Sequence, residues 1–367
     1  MIRALARVDV GAIRRNTERM AAAAPGAQVC AVVKADAYGH GMVQAARAAL
    51  AGGAGWLAVA TAMEAAGLRE AGIPGRILVL GALSDEELPI ALDADADVVA
   101  WHEETVARVA AHGGGRVHVK LDTGMGRLGT RDPEVATAVA EAAARTPGIE
   151  LAGLMTHFAT ADERGDAFFG EQLERFAGWA RPLADRHPGV LLHAANSAAT
   201  LREPAAHFDL VRPGVALYGL DPFGVDPAEH GLEPALELTS YLAAVKPTDP
   251  GESAGYGRRF IAREPTTVAT VPIGYGDGWR RGLTNDADAL VGGRRAALVG
   301  TVSMDNITLD VGALGDAASV GVEAVLIGAR GGDRILAEEV ARRLGTINYE
   351  ITCGIGARVP REHVGAV

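Results

Sequence analysis

Cysteine is nearly missing from this sequence: Cys30 and Cys353 are the two in 367 residues, too few for a disulfide framework or a four-cysteine zinc site. A surplus of basic charge is missing as well. Lysine and arginine total 35 against 46 acidic residues, a formal net charge of −11, which argues against nucleic acid or an anionic membrane as the main partner. Long apolar runs are absent too. The longest uncharged stretch, residues 48–63, is broken by glycines and too short to cross a bilayer. The N-terminal arginines are not followed by an apolar h-region, so no signal peptide is read, and neither low-complexity tails nor a solenoid period appears. What is present is ordinary globular composition, 49% apolar and 22% charged, enough for a sizeable core. A soluble, cytoplasmic protein of about two domains is expected.

From about residue 28 to 212, short β-branched runs alternate with alanine-rich amphipathic stretches. Strands are predicted over 28–34, 56–60, 77–80, 97–101, 117–122, 149–155, 191–196 and 208–212. Helices are predicted over 40–51, 63–71, 85–92, 103–111, 133–145 and 166–186, with a short link at 197–201. Ser84-Asp85 and Asp132-Pro133-Glu134 are helix start signals. Short apolar strands joined by helical links describe parallel strands buried on both faces, and eight such units favour a closed (β/α)8 barrel over an open doubly wound sheet. After Asp221-Pro222-Phe223-Gly224 the helical period disappears. Alternating segments follow at 235–246, 266–272, 289–291, 295–302, 307–311 and 324–327, interrupted by one helix at 335–344. The fold class is therefore α/β: an N-terminal barrel over residues 1–228 followed by a mainly β C-terminal domain over 229–367, with residues 1–10 open to pairing with the second.

In such a barrel, functional residues gather where strands end. The first strand ends at Lys34, with Tyr38 just beyond. The fifth carries Lys120 and Asp122 and leads to Arg127. The sixth ends at His157, the seventh at Asn196-Ser197, and the eighth at Arg212-Pro213-Gly214-Val215. A lysine directly after Ala31-Val32-Val33 stands at the mouth of a buried strand, where desolvation lowers its pKa and makes the amine nucleophilic; the commoner fate of lysine is a head kept in water. Gly124-Met125-Gly126-Arg127-Leu128-Gly129 matches G-x-G-x-x-G after a strand. It lies in the fifth unit, however, and the helix starts beyond its last glycine, so a turn aiming Arg127 into the pocket is the better reading than a dinucleotide site. Ser197 and the amides around Gly214-Val215 suit a phosphate, which barrels often bind at their last two loops; a capping serine and a turn glycine would look the same in isolation. His157 and His193 lack any metal-binding context, and no metal site is read.

The segment Val32-Val33-Lys34-Ala35-Asp36-Ala37-Tyr38-Gly39-His40-Gly41 resembles the pyridoxal-phosphate lysine segment of bacterial alanine racemases. His118-Val119-Lys120-Leu121-Asp122-Thr123-Gly124-Met125-Gly126-Arg127-Leu128-Gly129, Thr156-His157-Phe158, Asn196-Ser197 and Val211-Arg212-Pro213-Gly214 resemble that family in the same order. So do Gly255-Tyr256-Gly257, Pro272-Ile273-Gly274-Tyr275-Gly276-Asp277, Ser303-Met304-Asp305 and Ile347-Asn348-Tyr349-Glu350. The resemblance runs essentially end to end. It implies a head-to-tail homodimer, pyridoxal 5′-phosphate as cofactor, and interconversion of L-alanine and D-alanine that supplies D-alanine for peptidoglycan. It further implies that Lys34 holds the cofactor as a Schiff base and that Tyr38, Ser197, Tyr349 and the Gly214 and Val215 amides take its phosphate, with Asn196 nearby. Arg212 would face the pyridine nitrogen, with His157 tuning Arg212 and Tyr256. Arg127 and the Met304 amide would receive the substrate carboxylate, Lys120, often carbamylated in the family, would fix Arg127, and Asp305 and Tyr275 would support the site. Tyr256, from the other subunit, would be the second acid/base.

Racemisation needs a proton removed from one face of the α-carbon and returned to the other, so two bases must flank it; the resemblance supplies Lys34 and Tyr256. A guanidinium does not give up its proton, so Arg212 would leave the pyridine nitrogen unprotonated and the ring a weaker electron sink. The chain departs from the family pattern at Thr301 and Ser303, where Arg and Cys are frequent; the serine is a mild change, and the threonine removes a charge that lines the outer substrate corridor in relatives. Asp162, Arg281 and Tyr275 are candidates for that corridor. The alternatives are a decarboxylase on the same architecture, a cofactor-binding barrel without activity, and a broader racemase acting on serine.

Overall fold

The computed structural model describes residues 2–366. Its first strand, β1 (Leu5–Asp9), leads straight into a helix, Val10–Ala23, whose N-terminus is capped by the Asp9 carboxylate accepting from Ala12 N at 3.1 Å. Eight parallel strands follow: β2 (Gln28–Val32), β3 (Trp56–Val59), β4 (Arg76–Val79), β5 (Ala96–Ala100), β6 (Gly115–Lys120), β7 (Ile149–Met155), β8 (Leu191–His193) and β9 (Leu210–Val211). From β2 to β8 each pairs in parallel with the next, and β2 also pairs in parallel with β9. The seam between β8 and β9 is closed by Asp209 N to Leu192 O at 3.0 Å and Arg212 N to Ala195 O at 2.9 Å. The strands are apolar because both faces are covered, one by barrel interior and one by helices; β3 and β5 are buried throughout.

The outer helices are Met42–Ala51, Ala62–Glu70, Glu87–Asp93, Glu103–Ala111, Pro133–Arg145, Phe168–Arg186 and the short Ser197–Arg202. Their starts follow local chemistry. Asp132 accepts from Glu134 N and Val135 N ahead of Pro133, and Thr61 and Glu64 form a reciprocal capping box. One expectation needs correction and one helix is new. The helix read as 40–51 begins at Met42, because residues 34–39 form a separate turn. The helix Val10–Ala23, not expected at all, packs beside Met42–Ala51 and Ser197–Arg202 and completes the outer ring.

Beyond the barrel the chain forms β10 (Leu236–Tyr241), β11 (Ala244–Thr248), β12 (Ser253–Ala254), β13 (Phe260–Ile261), β14 (Thr266–Val271), β15 (Asp288–Val291), β16 (Arg294–Leu298), β17 (Ile307–Asp310), β18 (Glu323–Arg330), β19 (Asp333–Ile335) and β20 (Arg361–Val364). The main sheet runs β11-β14-β17-β16-β15-β18-β10-β1-β20, with β19 on β18. The segment read as one strand over 235–246 is two, because the chain changes partners within one peptide: Leu242 N bonds Val322 O and Ala243 N bonds Thr270 O. Helices Ala337–Leu344 and Asn348–Cys353 cover this region; the second, the small β12–β13 pair and β20 were not anticipated. No helix among the described residues is long and apolar enough to cross a membrane.

β1 lies between β10, antiparallel, and β20, parallel, so the start of the chain is part of the C-terminal sheet. Buried Asn16 fastens the following helix to the segment between barrel and sheet. Its Nδ2 donates to Leu217 O at 3.1 Å and Glu233 O at 2.8 Å, and its Oδ1 accepts from Glu233 N at 2.8 Å. Removing it strands three backbone groups. Asn16→Ala should therefore lower stability by about 2–4 kcal/mol in urea unfolding; a loss under about 0.5 kcal/mol would show that these bonds do not fasten the two parts.

Candidate active site

Lys34 leaves the end of β2 and enters a turn in which Ala35, Asp36, Ala37 and Tyr38 all have φ between 51° and 56°. Left-handed backbone costs non-glycine residues roughly 1–2 kcal/mol each, so this turn persists only because it is fastened from several sides. Ala35 N donates to Glu64 Oε1 at 2.6 Å, Met42 N to Asp36 Oδ1 at 2.7 Å, and Ala37 N to Val33 O at 2.9 Å. From β20, Arg361 Nε donates to Gly39 O at 3.1 Å and His363 Nε2 to His40 O at 2.8 Å. Gly39 is required: a Cβ there would lie 2.2 Å from Thr352 O. That close approach seats helix Asn348–Cys353 over the turn and brings Tyr349 and Cys353 to the cavity.

The cavity, about 490 Å3, opens at the C-terminal ends of the barrel strands. It gathers Lys34, Tyr38, Lys120, Arg127, His157, Asn196, Ser197, Arg212, Gly214, Val215 and Tyr349; Asp122, the other strand-five candidate, does not line it. Ala60, Leu80, Gly81, Met155 and Cys353 also line it and were not foreseen, nor was Glu64, whose S/T-x-x-E capping pattern was the available signal. A larger groove of about 1070 Å3 lies between helices Pro133–Arg145 and Phe168–Arg186, but its arginines are engaged: Arg131 with Asp122, Arg175 with Glu171, Arg186 with Glu141.

Four cations line the smaller cavity and no carboxylate does. Burial, and then the charge of Arg127, lowers the pKa of Lys34. Burial, followed by the charges of Arg212 and Arg127, brings Lys120 down to about 8. His157 is kept neutral by burial beside Arg212. Arg212, lowered by burial to about 10, remains a cation at neutral pH. It donates to His193 Nδ1 at 2.8 Å, Thr156 O at 2.8 Å, Ala194 O at 3.1 Å and, longer, His157 Nδ1 at 3.4 Å, all through its terminal nitrogens. Its Nε bonds no described residue.

At the opposite end of the cavity, Ser197 Oγ accepts from Gly214 N at 2.9 Å and Ala216 N at 3.3 Å. The Gly214 amide is therefore engaged, while the Ser197 proton stays free to donate outward. Burial raises the pKa of both Tyr38 and Tyr349, so each presents a neutral hydroxyl. A Cβ on Gly214 would lie 2.4 Å from Tyr38 Oη, so only glycine leaves that hydroxyl its place. Asn196 caps helix Ser197–Arg202 by accepting from Ala199 N at 3.0 Å. The glycine-rich loop is not a phosphate cradle: its Gly124 and Gly126 amides donate at 3.0 Å to Asp122 within the loop itself.

Tyr256, Met304, Asp305 and Tyr275 do not reach this cavity in their own chain. They lie on the C-terminal domain, where Tyr256 is 75% exposed and Met304 52%. Thr301 Oγ1 donates to Tyr256 O at 2.6 Å, and Tyr275 and Met304 share a pair of turns joined by Tyr275 N to Ser303 O at 3.1 Å and Gly276 N to Met304 O at 2.9 Å. Arg3 ties these turns down through Asp277 at 2.6 and 2.7 Å, and Arg358 through Asp305 at 2.7 Å. Neither Asp162 nor Arg281 lines the cavity.

A desolvated amine among cations, at the mouth of an α/β barrel that continues into a β domain, defines a barrel enzyme built for amine chemistry on anionic ligands. Known proteins narrow the class. Residues 8–222 match the model of the alanine racemase N-terminal domain and residues 235–363 that of the C-terminal domain. The alanine racemase of Frankia casuarinae is 44% identical over 99% of this chain and 97% of its own length, and that of Thermobifida fusca 44% over 99% and 98%. The crystal structure of the E. faecalis alanine racemase superposes with a TM-score of 0.92 at 36% identity, covering 99% of this chain and 98% of that one. The chain belongs to the alanine racemase family.

The crowded cations set a pH dependence. An unfolded lysine keeps its proton to about pH 10, whereas Lys120 in the fold loses it near pH 8. Between those values the fold binds fewer protons than the unfolded chain, so this group's contribution to stability rises with pH there and is unfavourable below. Lys120→Met should stabilise ligand-free protein in CO2-free buffer at pH 7 by up to about 3 kcal/mol, a gain that vanishes by about pH 10.5. Urea melts at the two pH values check it; a variant no more stable at pH 7 would show that the cavity carries the charge without cost.

Proposed function

We propose that this chain interconverts L-alanine and D-alanine, using pyridoxal 5′-phosphate held at Lys34. The observation that carries the reading is the cavity of four cations without a carboxylate, with the Lys34 amine desolvated inside it. The chain has three lysines, and Lys246 stands on β11, so a carrier amine in the barrel is Lys34 or Lys120. Bound to that amine, pyridoxal phosphate supplies the electron-withdrawing ring that acidifies the α-carbon of an amino acid.

The residues divide the work by position. The hydroxyls of Ser197, Tyr38 and Tyr349 and the Val215 amide suit the phosphate, matching the preference of barrels for phosphate at their last loops. Arg212, its terminal nitrogens engaged by His193, Thr156 and Ala194, would offer its Nε proton to the ring nitrogen, a proton a guanidinium does not release. Arg127 suits the substrate carboxylate. Lys120, held near 8, has a neutral fraction able to take up CO2, and the resulting carbamate would turn a neighbouring cation into an anionic partner for Arg127. Lys34 serves one face of the α-carbon as base. The other face needs a second base, and Tyr256, exposed on the β domain, suits the cavity of a partner in a head-to-tail homodimer, with Met304, Asp305 and Tyr275 beside it. D-Alanine made in the cytoplasm would feed peptidoglycan. The lack of a lining carboxylate disfavours a decarboxylase, whose ring nitrogen usually faces one.

Two variants test this. Lys34→Ala should lose both the absorbance of covalently bound cofactor and racemisation; full activity with the cofactor trapped on another lysine would overturn the assignment. Tyr256→Ala should bind cofactor normally and racemise poorly. Mixing the two inactive chains places one complete site in each mixed dimer, so about a quarter of the wild-type activity should return at statistical exchange. No recovery after verified exchange would place Tyr256 outside the partner's site.

A further inference from the structure

Beneath Arg212 the barrel interior holds polar groups that the reaction above does not use. Asp97, His118 and His193 are fully buried. Asp97 is the second residue of β5, His118 the fourth of β6 and His193 the last of β8, so the three climb from the N-terminal end of the barrel toward its mouth. Arg212 Nη1 lies 2.8 Å from His193 Nδ1, His193 Nε2 lies 2.8 Å from His118 Nδ1, and His118 Nε2 lies 2.9 Å from Asp97 Oδ2.

One end sets the direction of the whole series. A guanidinium has donors and no acceptor, so His193 Nδ1 carries no proton and accepts from Arg212. The remaining His193 proton is on Nε2 and is donated to His118 Nδ1, which leaves the His118 proton on Nε2, facing the Asp97 carboxylate. Every contact then holds one proton. Asp97 is anchored in turn at the barrel floor by Arg116 Nε at 2.6 Å and by Arg76.

The backbone makes room for this contact between rings. Opposite His118 the β6–β7 register skips Ala152, so that Val117 faces Leu151 and His118 faces Gly153. A Cβ on Gly153 would lie 2.3 Å from His118 Nδ1 and 3.0 Å from His193 Nε2. A bulge with a glycine beside it is how a strand admits a close approach. Trp56 packs edge-on against His118 at 5.8 Å, and Arg76 lies over Trp56 at 4.2 Å, closing the remaining side.

We propose that Asp97 and His118 are positioning residues of the cofactor site: with His193 they form a one-way hydrogen-bond chain from the barrel floor that holds the bare His193 Nδ1 under Arg212 and so fixes which guanidinium nitrogen faces the cavity. The proposal rests on the assignment of the cavity to pyridoxal phosphate. Without an acceptor at position 118, His193 can place its proton on Nδ1, opposite the N–H groups of Arg212, and the guanidinium must turn.

The test starts with the proton positions, read by long-range 1H–15N correlation on histidine-labelled holoenzyme. His118 and His193 should both be neutral with the proton on Nε2, and an imidazolium or an Nδ1–H form at either ring would overturn the chain. His118→Phe keeps a ring of similar size without the acceptor. It should move His193 toward the Nδ1–H form, shift the absorption band of bound cofactor, and raise half-saturation by pyridoxal phosphate about tenfold, the scale of losing a supporting shell. His118→Gln, whose amide oxygen can accept, should stay within about twofold of wild type. An unchanged band and half-saturation in folded His118→Phe would refute the positioning role; should that variant not fold, a His118→Gln protein that loses cofactor as severely as Lys34→Ala would refute it equally. The Lys34→Ala spectrum decides separately whether the cofactor sits in the cavity at all.

Discussion

Four like charges held around one small cavity are the constraint on which the rest of the site depends. Nothing in the lining neutralises Lys34, Lys120, Arg127 and Arg212, and in a partly desolvated space their repulsion is stronger than in water. The fold therefore grips them by other means. Arg212 is held by carbonyl oxygens and a neutral imidazole, and Lys34 by a backbone turn with four left-handed residues. A site that is costly when empty is one in which an anionic ligand relieves cost as it binds. Under the proposed function, phosphate at the Ser197 end and carboxylate at the Arg127 end would both do so, tying the stability of the barrel mouth to its occupancy. Local rules of good packing give way here because the chemistry requires it.

Much of this was legible in the sequence because strand exits are where a barrel keeps its chemistry. The eight apolar runs, each closed by a turn residue, located Lys34, Lys120, His157, Ser197 and Arg212 at one end before any geometry was known. Helix Val10–Ala23 escaped notice because its buried face includes Gly11, Ala12, Asn16 and Thr17, residues that read as surface; Asn16 is buried only because distant carbonyls satisfy it. The turn after Lys34 was unreadable for a different reason. Ala-Asp-Ala-Tyr is compatible with an ordinary helix, and the sign of φ is set by Glu64, Arg361 and His363, all remote in sequence. Asp97 and His118 lie in strands that read as core, and their roles appear only when β5, β6 and β8 stand side by side. Tyr256 and Met304 were reached through family resemblance alone, since a chain considered by itself leaves them on an open surface.

The two parts of the molecule are coupled more closely than a linear description suggests. β1 precedes the barrel yet belongs to the sheet that follows it, so the chain crosses between the parts at both ends of the barrel. Arg3, just before β1, holds the turns that carry Tyr275 and Met304. Arg361 and His363, in β20, hold the turn that carries Lys34. Both fastening segments, the residues around Arg3 and strand β20, are short and lie near the ends of the chain.

The pairing of β1 with β20 also has a meaning in time. On the ribosome β1 emerges first, and its register partners, Thr239 to Leu236 on one side and Arg361 to Val364 on the other, emerge after nearly all the barrel. Contacts of such long range form late and slowly, so the nascent barrel carries an unpaired strand at its start while the rest is being made. The same late strand brings Arg361 and His363 to the Lys34 turn. A growing chain can therefore close its eight-stranded barrel before the segment that braces the Lys34 turn has been made.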